Sequence, residues 1–316
     1  MVNFGGPRSL TEVQPFLREL LCDQDVLRTP LPAFLHRLFF RKIADRRTKK
    51  ISHDYTLIGG KSPIYEDTEA VAQAVSQKLG SEVLTFHRYL PATHKASLEQ
   101  IASKKNTIVF PLFPQFTYAT TGSIARFFKR HLPSSALARM KWISSYHNHP
   151  AYIRCMQKTI ADFLAEKQLK QEEVLLLFSA HGLPQKFITT GDPYQDQCRD
   201  SYDQIRKAFP KAAALLSFQS KFGPGEWLRP YTVDVCKTVS ERQHIIFVPL
   251  SFTSDHIETL FEVEYQYLPL IRERGLKADR CPALGRRSDW IEAIAEIFQM
   301  QSLVKTDELI FSTALL

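Results

Sequence analysis

The 316-residue chain contains no apolar stretch approaching the roughly 20 residues that a membrane-crossing helix needs. Its first ten residues, MVNFGGPRSL, have no basic segment followed by an apolar core, so no secretory signal is expected. Cysteine is scarce and scattered. Cys22, Cys155, Cys198, Cys236 and Cys281 are odd in number and never spaced C-x-x-C, which argues against a disulfide framework and a thiolate zinc site. A reducing cytoplasm is the expected location. No G-x-G-x-x-G opens a helix, against a dinucleotide cofactor, and no H-E-x-x-H supports a zinc hydrolase. Gly59-Gly60-Lys61-Ser62-Pro63 lacks phosphate-loop spacing and reads as a helix stop and turn.

What is present is globular: 44% hydrophobic and 23% charged residues. The formal charge is +8, and much of the excess lies in residues 37–50, RLFFRKIADRRTKK. A basic helix interleaved with Leu38, Phe39 and Phe40 suits an anionic membrane surface or an anionic ligand. The plainer reading is a solvated helix face. No nucleic-acid module accompanies it, so no nucleic acid is expected as a partner.

Residues 174–178, VLLLF, form an unbroken apolar run of strand length, stopped by Ser179, Ala180, His181, Gly182 and Pro184. Such a run suits a strand buried on both faces of a parallel sheet, with ligands beyond its carboxyl end. Residues 245–249, IIFVP, repeat the pattern and lead into Ser254, Asp255, His256 and Glu258. Strand-like and helix-like segments alternate through the chain, which predicts βαβ units. Strands are expected at 83–89, 107–113, 141–146, 174–179, 213–218 and 245–249, with a last short one at 277–281. Helices are expected at 121–131, 150–167, 255–273 and 289–300, among others. That many units would make one very wide sheet, so two domains are expected, bridged at 150–167.

A lone histidine after a strand more often caps a turn than does chemistry. Here His181 is matched by a second strand end carrying Asp255, His256 and Glu258, and the two ends are expected to face each other. Glu258, Glu262 and Gln266 recur every four residues and would line one helix face, a row suited to relaying a cation or protons. The alternative is an exposed acidic face. Other strand ends collect Arg88-Tyr89, Phe113-Pro114-Gln115-Phe116 and Gln219-Ser220, with Trp227 soon after. Aromatics with a few bases around histidine and carboxylate suit a large, flat, partly anionic ligand.

The stretches NFGGP, GGKSPI, FPQF…TTGS, FSAHGLP, FQSKFGPGEWL and FTSDHIETLFE together resemble the ferrochelatase family, in the same order and over nearly the whole chain. The resemblance implies an α/β fold of two Rossmann-like domains, with parallel sheets flanked by helices and the active cleft between them. It implies a return of the last helix to the first domain. The first domain is then 1–150 plus 285–316, with a porphyrin lip at about 31–60; the second is 151–284. The implied reaction is insertion of Fe²⁺ into protoporphyrin IX to form haem, with release of two protons. His181 and Glu258 are the implied catalytic and metal-contacting pair. Asp255, His256 and Glu262 extend a secondary metal or proton path. Phe4, Arg88, Tyr89, Gln219, Ser220, Trp227 and Phe252 match positions around the porphyrin.

Imidazole and carboxylate both suit Fe²⁺, and a histidine can take a pyrrole proton near neutral pH. Iron enters as substrate, and no tightly bound cofactor is expected. Animal relatives hold a [2Fe–2S] cluster on four cysteines, one within the region matching FTYATTGS and three in a carboxyl-terminal extension. Here that region has Tyr118, and no cysteine follows Cys281, so no cluster is expected. Members acting on coproporphyrin tend to carry Tyr where Phe4 stands, which favours protoporphyrin IX. The rival readings are a coproporphyrin III ferrochelatase, a cobalt or nickel tetrapyrrole chelatase, and a non-catalytic porphyrin or haem carrier. A monomer is expected, cytoplasmic and resting reversibly on the inner membrane face through its lip.

Overall fold

The strand expected at the centre runs Val174–His181. Val174, Leu175, Leu176, Leu177 and Phe178 are fully buried, as an apolar run covered on both sheet faces must be. Each such side chain contributes about 1.5–3 kcal/mol on leaving water. The strand pairs in parallel with Ala213–Gln219 on one side and His244–Pro249 on the other, and His244–Pro249 pairs in parallel with Lys277–Arg280. The register sets His181 beside Gln219, and Ser179 between Ser217 and Pro249. Three strands therefore deliver their carboxyl ends to one place.

The computed structural model describes residues 1–240, 242–299 and 302–311. It divides into two compact units, Met1–Ser145 with Gln299–Leu316, and Tyr146–Phe298. The second unit contains the four-stranded sheet with the helices Pro150–Glu166, Tyr194–Arg206, Thr232–Thr238 and Ser288–Gln299 around it. That last helix was expected to return to the first domain. Nearly all of it instead belongs to the second unit, because its apolar face has a partner there. Trp290 packs on Tyr146 and Tyr152, and Glu296 pairs with Arg154 on the Pro150–Glu166 helix. Met300 and residues 312–316, to which the expected boundaries extended, lie outside the described residues.

In the first unit Val2–Asn3 pairs in parallel with Phe86–His87, and Thr107–Val109 with Met140–Ile143, while Leu303–Val304 adds an antiparallel edge. Backbone bonds from Val2 N–H to the Phe110 carbonyl and from Leu112 N–H to the Val2 carbonyl tie the pieces together. The strands are shorter than the apolar runs suggested. Pro111 and Pro114 cannot donate to a ladder, so the regular strand ends at Val109 and only an isolated bridge to Val2 continues beyond it. Phe86, Phe128 and Trp142 fill the core beneath.

The lip segment forms a long helix, Ala33–Leu57. His36, Phe40 and Ala44 turn inward, whereas Phe34 is 71% and Phe39 53% exposed, so the two adjacent phenylalanines divide between core and solvent. No described helix is long and apolar enough to cross a membrane. Two segments expected as plain α-helices open with wider π-turns, Tyr118–Gly122 and Glu258–Tyr267. In the second, Thr259, Val263 and Tyr267 are buried at four-residue intervals, a spacing that α and π turns serve alike. Single π-turns inside helices are found disproportionately at functional sites.

Candidate functional site

His181 is the last residue of its strand, and the chain must turn away at once. Gly182 makes that possible. A Cβ there would lie 2.7 Å from the Gln219 carbonyl oxygen, which already accepts the Gly182 N–H at 2.8 Å. The Tyr194 hydroxyl holds the His181 carbonyl at 3.0 Å and also meets Ser251 Oγ at 2.6 Å. The histidine backbone is thus fixed on both sides.

Its ring meets Glu258 at the head of the π-turn helix, with Nδ1 2.8 Å from Glu258 Oε2. An ionised carboxylate only accepts, so the proton between them sits on Nδ1. In the neutral ring the lone pair is then on Nε2, the nitrogen left for a ligand. The His181 side chain is 34% exposed, so that nitrogen is on an accessible ring. Burial alone would lower the His181 pKa, but the Glu258 carboxylate more than offsets it, and the pKa lies above the usual 6.5. The same pairing overcomes the burial of Glu258 and lowers its pKa to about 2.

Glu262 behaves in the opposite way. Burial first, then the neighbouring Glu258 charge, raise its pKa to about 7. The hydrogen bonds agree. Ser220 Oγ lies 3.1 Å from Glu258 Oε2 and 2.5 Å from Glu262 Oε2. One hydroxyl supplies one proton, so two ionised carboxylates would leave one contact oxygen against oxygen. The Ser220 hydroxyl can donate to Glu262 or to Glu258, but not to both at once. Ser220 reaches this position with φ +62°, in the left-handed region where a non-glycine residue is uncommon. The Tyr267 hydroxyl accepts from its backbone N–H at 3.3 Å. Gln219 is oriented by the Ser179 hydroxyl on its Oε1, leaving Nε2 to donate to Glu262 and to the Glu258 carbonyl.

Of the expected residues, His181, Glu258, Glu262, Gln219 and Ser220 are therefore joined in one hydrogen-bonded group. His256 stands at its edge, buried, with Nε2 4.0 Å from Glu258 Oε2 and its ring against Phe252. Burial keeps its pKa below the usual value despite the nearby Glu258 and Asp255 charges. Phe252 also meets the His181 ring edge-on at 6.3 Å, and Trp227 packs behind Gly182. Two residues expected along the acidic path do not join it. Asp255 is held by Arg280 at 2.7 Å, and Gln266 is exposed.

Phe4, Arg88 and Tyr89 lie in the first unit. Phe4 packs on Tyr89 with ring centroids 4.5 Å apart. The Tyr89 hydroxyl and one Arg88 nitrogen both donate to Asp23, and both side chains are buried. Tyr194, Tyr267 and Ser179 escaped sequence reasoning as site residues. Each acts through a single hydroxyl whose partner is distant in sequence, and nothing in local spacing marks it. Among the described residues no three His, Cys, Asp or Glu side chains converge as a metal cage.

The Ferrochelatase family profile matches residues 1–302. A ferrochelatase of Chlamydia caviae is 44% identical over 315 residues, covering 99% of this chain and 98% of its own. One from Chlamydia trachomatis serovar A is 44% identical over 299 residues, covering 94% and 93%. Among solved structures, CbiX, the terminal enzyme of sirohaem biosynthesis in denitrifying bacteria, superposes with a TM-score of 0.54 at 19% identity, over 76% of this chain and 94% of its own. A multi-domain Deinococcus radiodurans protein with structural similarity to chelatases gives 0.52 at 16% identity, over 73% and 50%. These two share the fold. With a family match across almost its full length, the chain belongs to the ferrochelatase family, enzymes that insert metal into porphyrin.

Proposed function

We propose that the enzyme inserts Fe²⁺ into protoporphyrin IX at the His181–Glu258 pair. In this reaction two pyrrole N–H bonds break, iron gains the porphyrin nitrogens, and two protons leave; iron stays ferrous throughout. The observation that carries the reading is the Nδ1–carboxylate contact, which leaves Nε2 of His181 as acceptor for a pyrrole proton or as a transient contact for iron. With Glu262 ionised, the chain Glu258–Ser220–Glu262 gives that proton a route away from the ring. The porphyrin must bend for its nitrogen lone pairs to leave the plane, and aromatic contacts such as Phe252 and Trp227 supply binding energy for that distortion.

Resident cofactors have no place in this proposal. The region around Tyr118, in which cluster-bearing relatives carry one of their cysteines, has none here, and the five thiols are dispersed, four of them buried. Phe4 is the residue on which the choice of protoporphyrin rests. Anaerobic assays of Fe²⁺ insertion with each porphyrin, and of Co²⁺ and Ni²⁺ in place of iron, test the reading. The expected result is a kcat/KM at least about tenfold higher for protoporphyrin IX than for coproporphyrin III, the equivalent of about 1.4 kcal/mol of discrimination. The reverse preference identifies a coproporphyrin enzyme; binding without turnover identifies a carrier.

The exposed apolar face of the Ala33–Leu57 helix supports a second part of the reading, reversible attachment to an anionic membrane surface. Phe34, Leu38 and Phe39 project from a helix rich in arginine and lysine. Each base near such a surface is worth about 1 kcal/mol, and the attraction weakens with salt. Co-sedimentation with vesicles containing phosphatidylglycerol should fall as salt rises and should be lost in Phe34→Ser/Phe39→Ser. Indifference to anionic vesicles at low salt rejects this part.

A further inference from the structure

A cavity of about 930 Å³ lies in the first unit, lined by the segment that follows the Val13–Leu21 helix, by the Ala33–Leu57 helix and by the Ser123–His131 helix. Six arginines reach it: Arg28, Arg37, Arg41, Arg88, Arg126 and Arg130. Only three carboxylates share the wall, Glu19, Asp23 and Asp25. Two of these are already engaged. Asp23 Oδ2 accepts from Arg88, Tyr89 and Ser123, and Asp25 accepts from Arg126. Arg37, Arg41 and Arg130 form no ion pair with a carboxylate among the described residues. The cavity therefore carries a positive charge that its own acids do not balance.

A second observation points to a ligand. Arg88 is only 8% exposed, yet its Nη1 has no hydrogen-bond partner, and Glu19 stays 3.9 Å away. An unsatisfied buried donor on a guanidinium is costly, and an anion in the cavity would relieve it. Arg37 and Arg41 lie four residues apart on one helix and Arg130 comes from another, and all three are exposed residues of the cavity wall. Planar guanidinium forks match the paired oxygens of a phosphate, and an anionic tetrahedral group with several acceptor oxygens answers more than one of them. The rim is apolar, with Phe34 and Leu38 both exposed and both lining the cavity.

We propose that this cavity, whose lining includes neither His181 nor Glu258, is a binding site for a phosphate ester. The phosphate sits among Arg37, Arg41 and Arg130, near Arg88 Nη1, and an attached organic group rests on Phe34 and Leu38. The source is either a phospholipid headgroup or a free phosphate compound.

Calorimetric titration of the whole protein in phosphate-free buffer separates the cases. The probes are inorganic phosphate, monomeric dihexanoyl-phosphatidylglycerol and monomeric dihexanoyl-phosphatidylcholine. Saturable one-to-one binding of a phosphate probe is expected, weakened about tenfold or more in Arg37→Ser/Arg41→Ser and in Arg130→Ser, as for loss of charge-assisted bonds. Arg37→Lys/Arg41→Lys should recover only part of it, since the charge remains and the fork does not. Tighter binding of the phosphatidylglycerol than of inorganic phosphate assigns the site to a headgroup; equal binding assigns it to free phosphate. No saturable binding, binding unaltered in the serine variants, or equal binding of the phosphatidylcholine overturns the proposal. Soluble probes keep this test apart from vesicle attachment, and insertion assays on the same samples report on His181 and Glu258.

Discussion

Replacing His181 with alanine is expected to reduce metal insertion by at least about 10³-fold, the upper range for loss of a positioned acid–base group that also contacts the metal. The side chain is one-third exposed and lies at a strand end, so its removal leaves no buried cavity. The fold should survive. Porphyrin affinity should change little, because it rests on Phe252, Trp227 and other apolar contacts that the substitution does not touch. Fluorescence quenching on porphyrin binding and anaerobic turnover, measured on one preparation, separate the two effects. Near-normal turnover in folded His181→Ala protein would remove His181 from the chemistry.

Changing Glu258 to glutamine should lower turnover by about 10²-fold, in the range for losing a partner that orients a working histidine. Glutamine keeps the volume and removes the charge that holds His181 in one tautomer. Glu262→Gln should cost about tenfold or less, because Glu262 meets the His181–Glu258 pair only through Ser220 and Gln219. The order of the two losses is the informative quantity. Equal, mild losses would mean that the acids form only a polar face of the helix.

Much of this site is legible in the sequence because it lies where strands end. VLLLF can only be a buried strand, and the residue that stops it, His181, must emerge at the edge of the sheet. The register then brings Gln219 alongside without further information. The acidic helix is harder to read. Period four over Glu258, Glu262 and Gln266 predicts one line of three, but Gln266 is exposed and only the first two meet Ser220. Hydrogen-bonding pattern, not residue spacing, decides between α and π turns, and spacing alone does not reveal it. Asp255 reads equally well as a site residue until Arg280, 25 positions away, claims its carboxylate. The last helix misleads for a related reason. Its partner face, built from Tyr146 and Tyr152, exists only once the second unit has folded. The arginine cavity is invisible in sequence because its walls come from segments about a hundred residues apart.

The central claim is that Glu258 holds the proton on Nδ1 of His181 and so presents Nε2 to the reaction. The pH dependence of kcat/KM tests it most directly. The Glu258 carboxylate stabilises the imidazolium, so the His181 pKa stands above 6.5. Insertion needs Nε2 free, so activity should fall as pH drops through that raised value. In Glu258→Gln the imidazolium loses its counter-charge and gives up its proton more readily. The acidic limb of the profile should therefore move to lower pH, even though the maximum rate is smaller. An acidic limb that stays in place when Glu258 is neutralised would contradict the account.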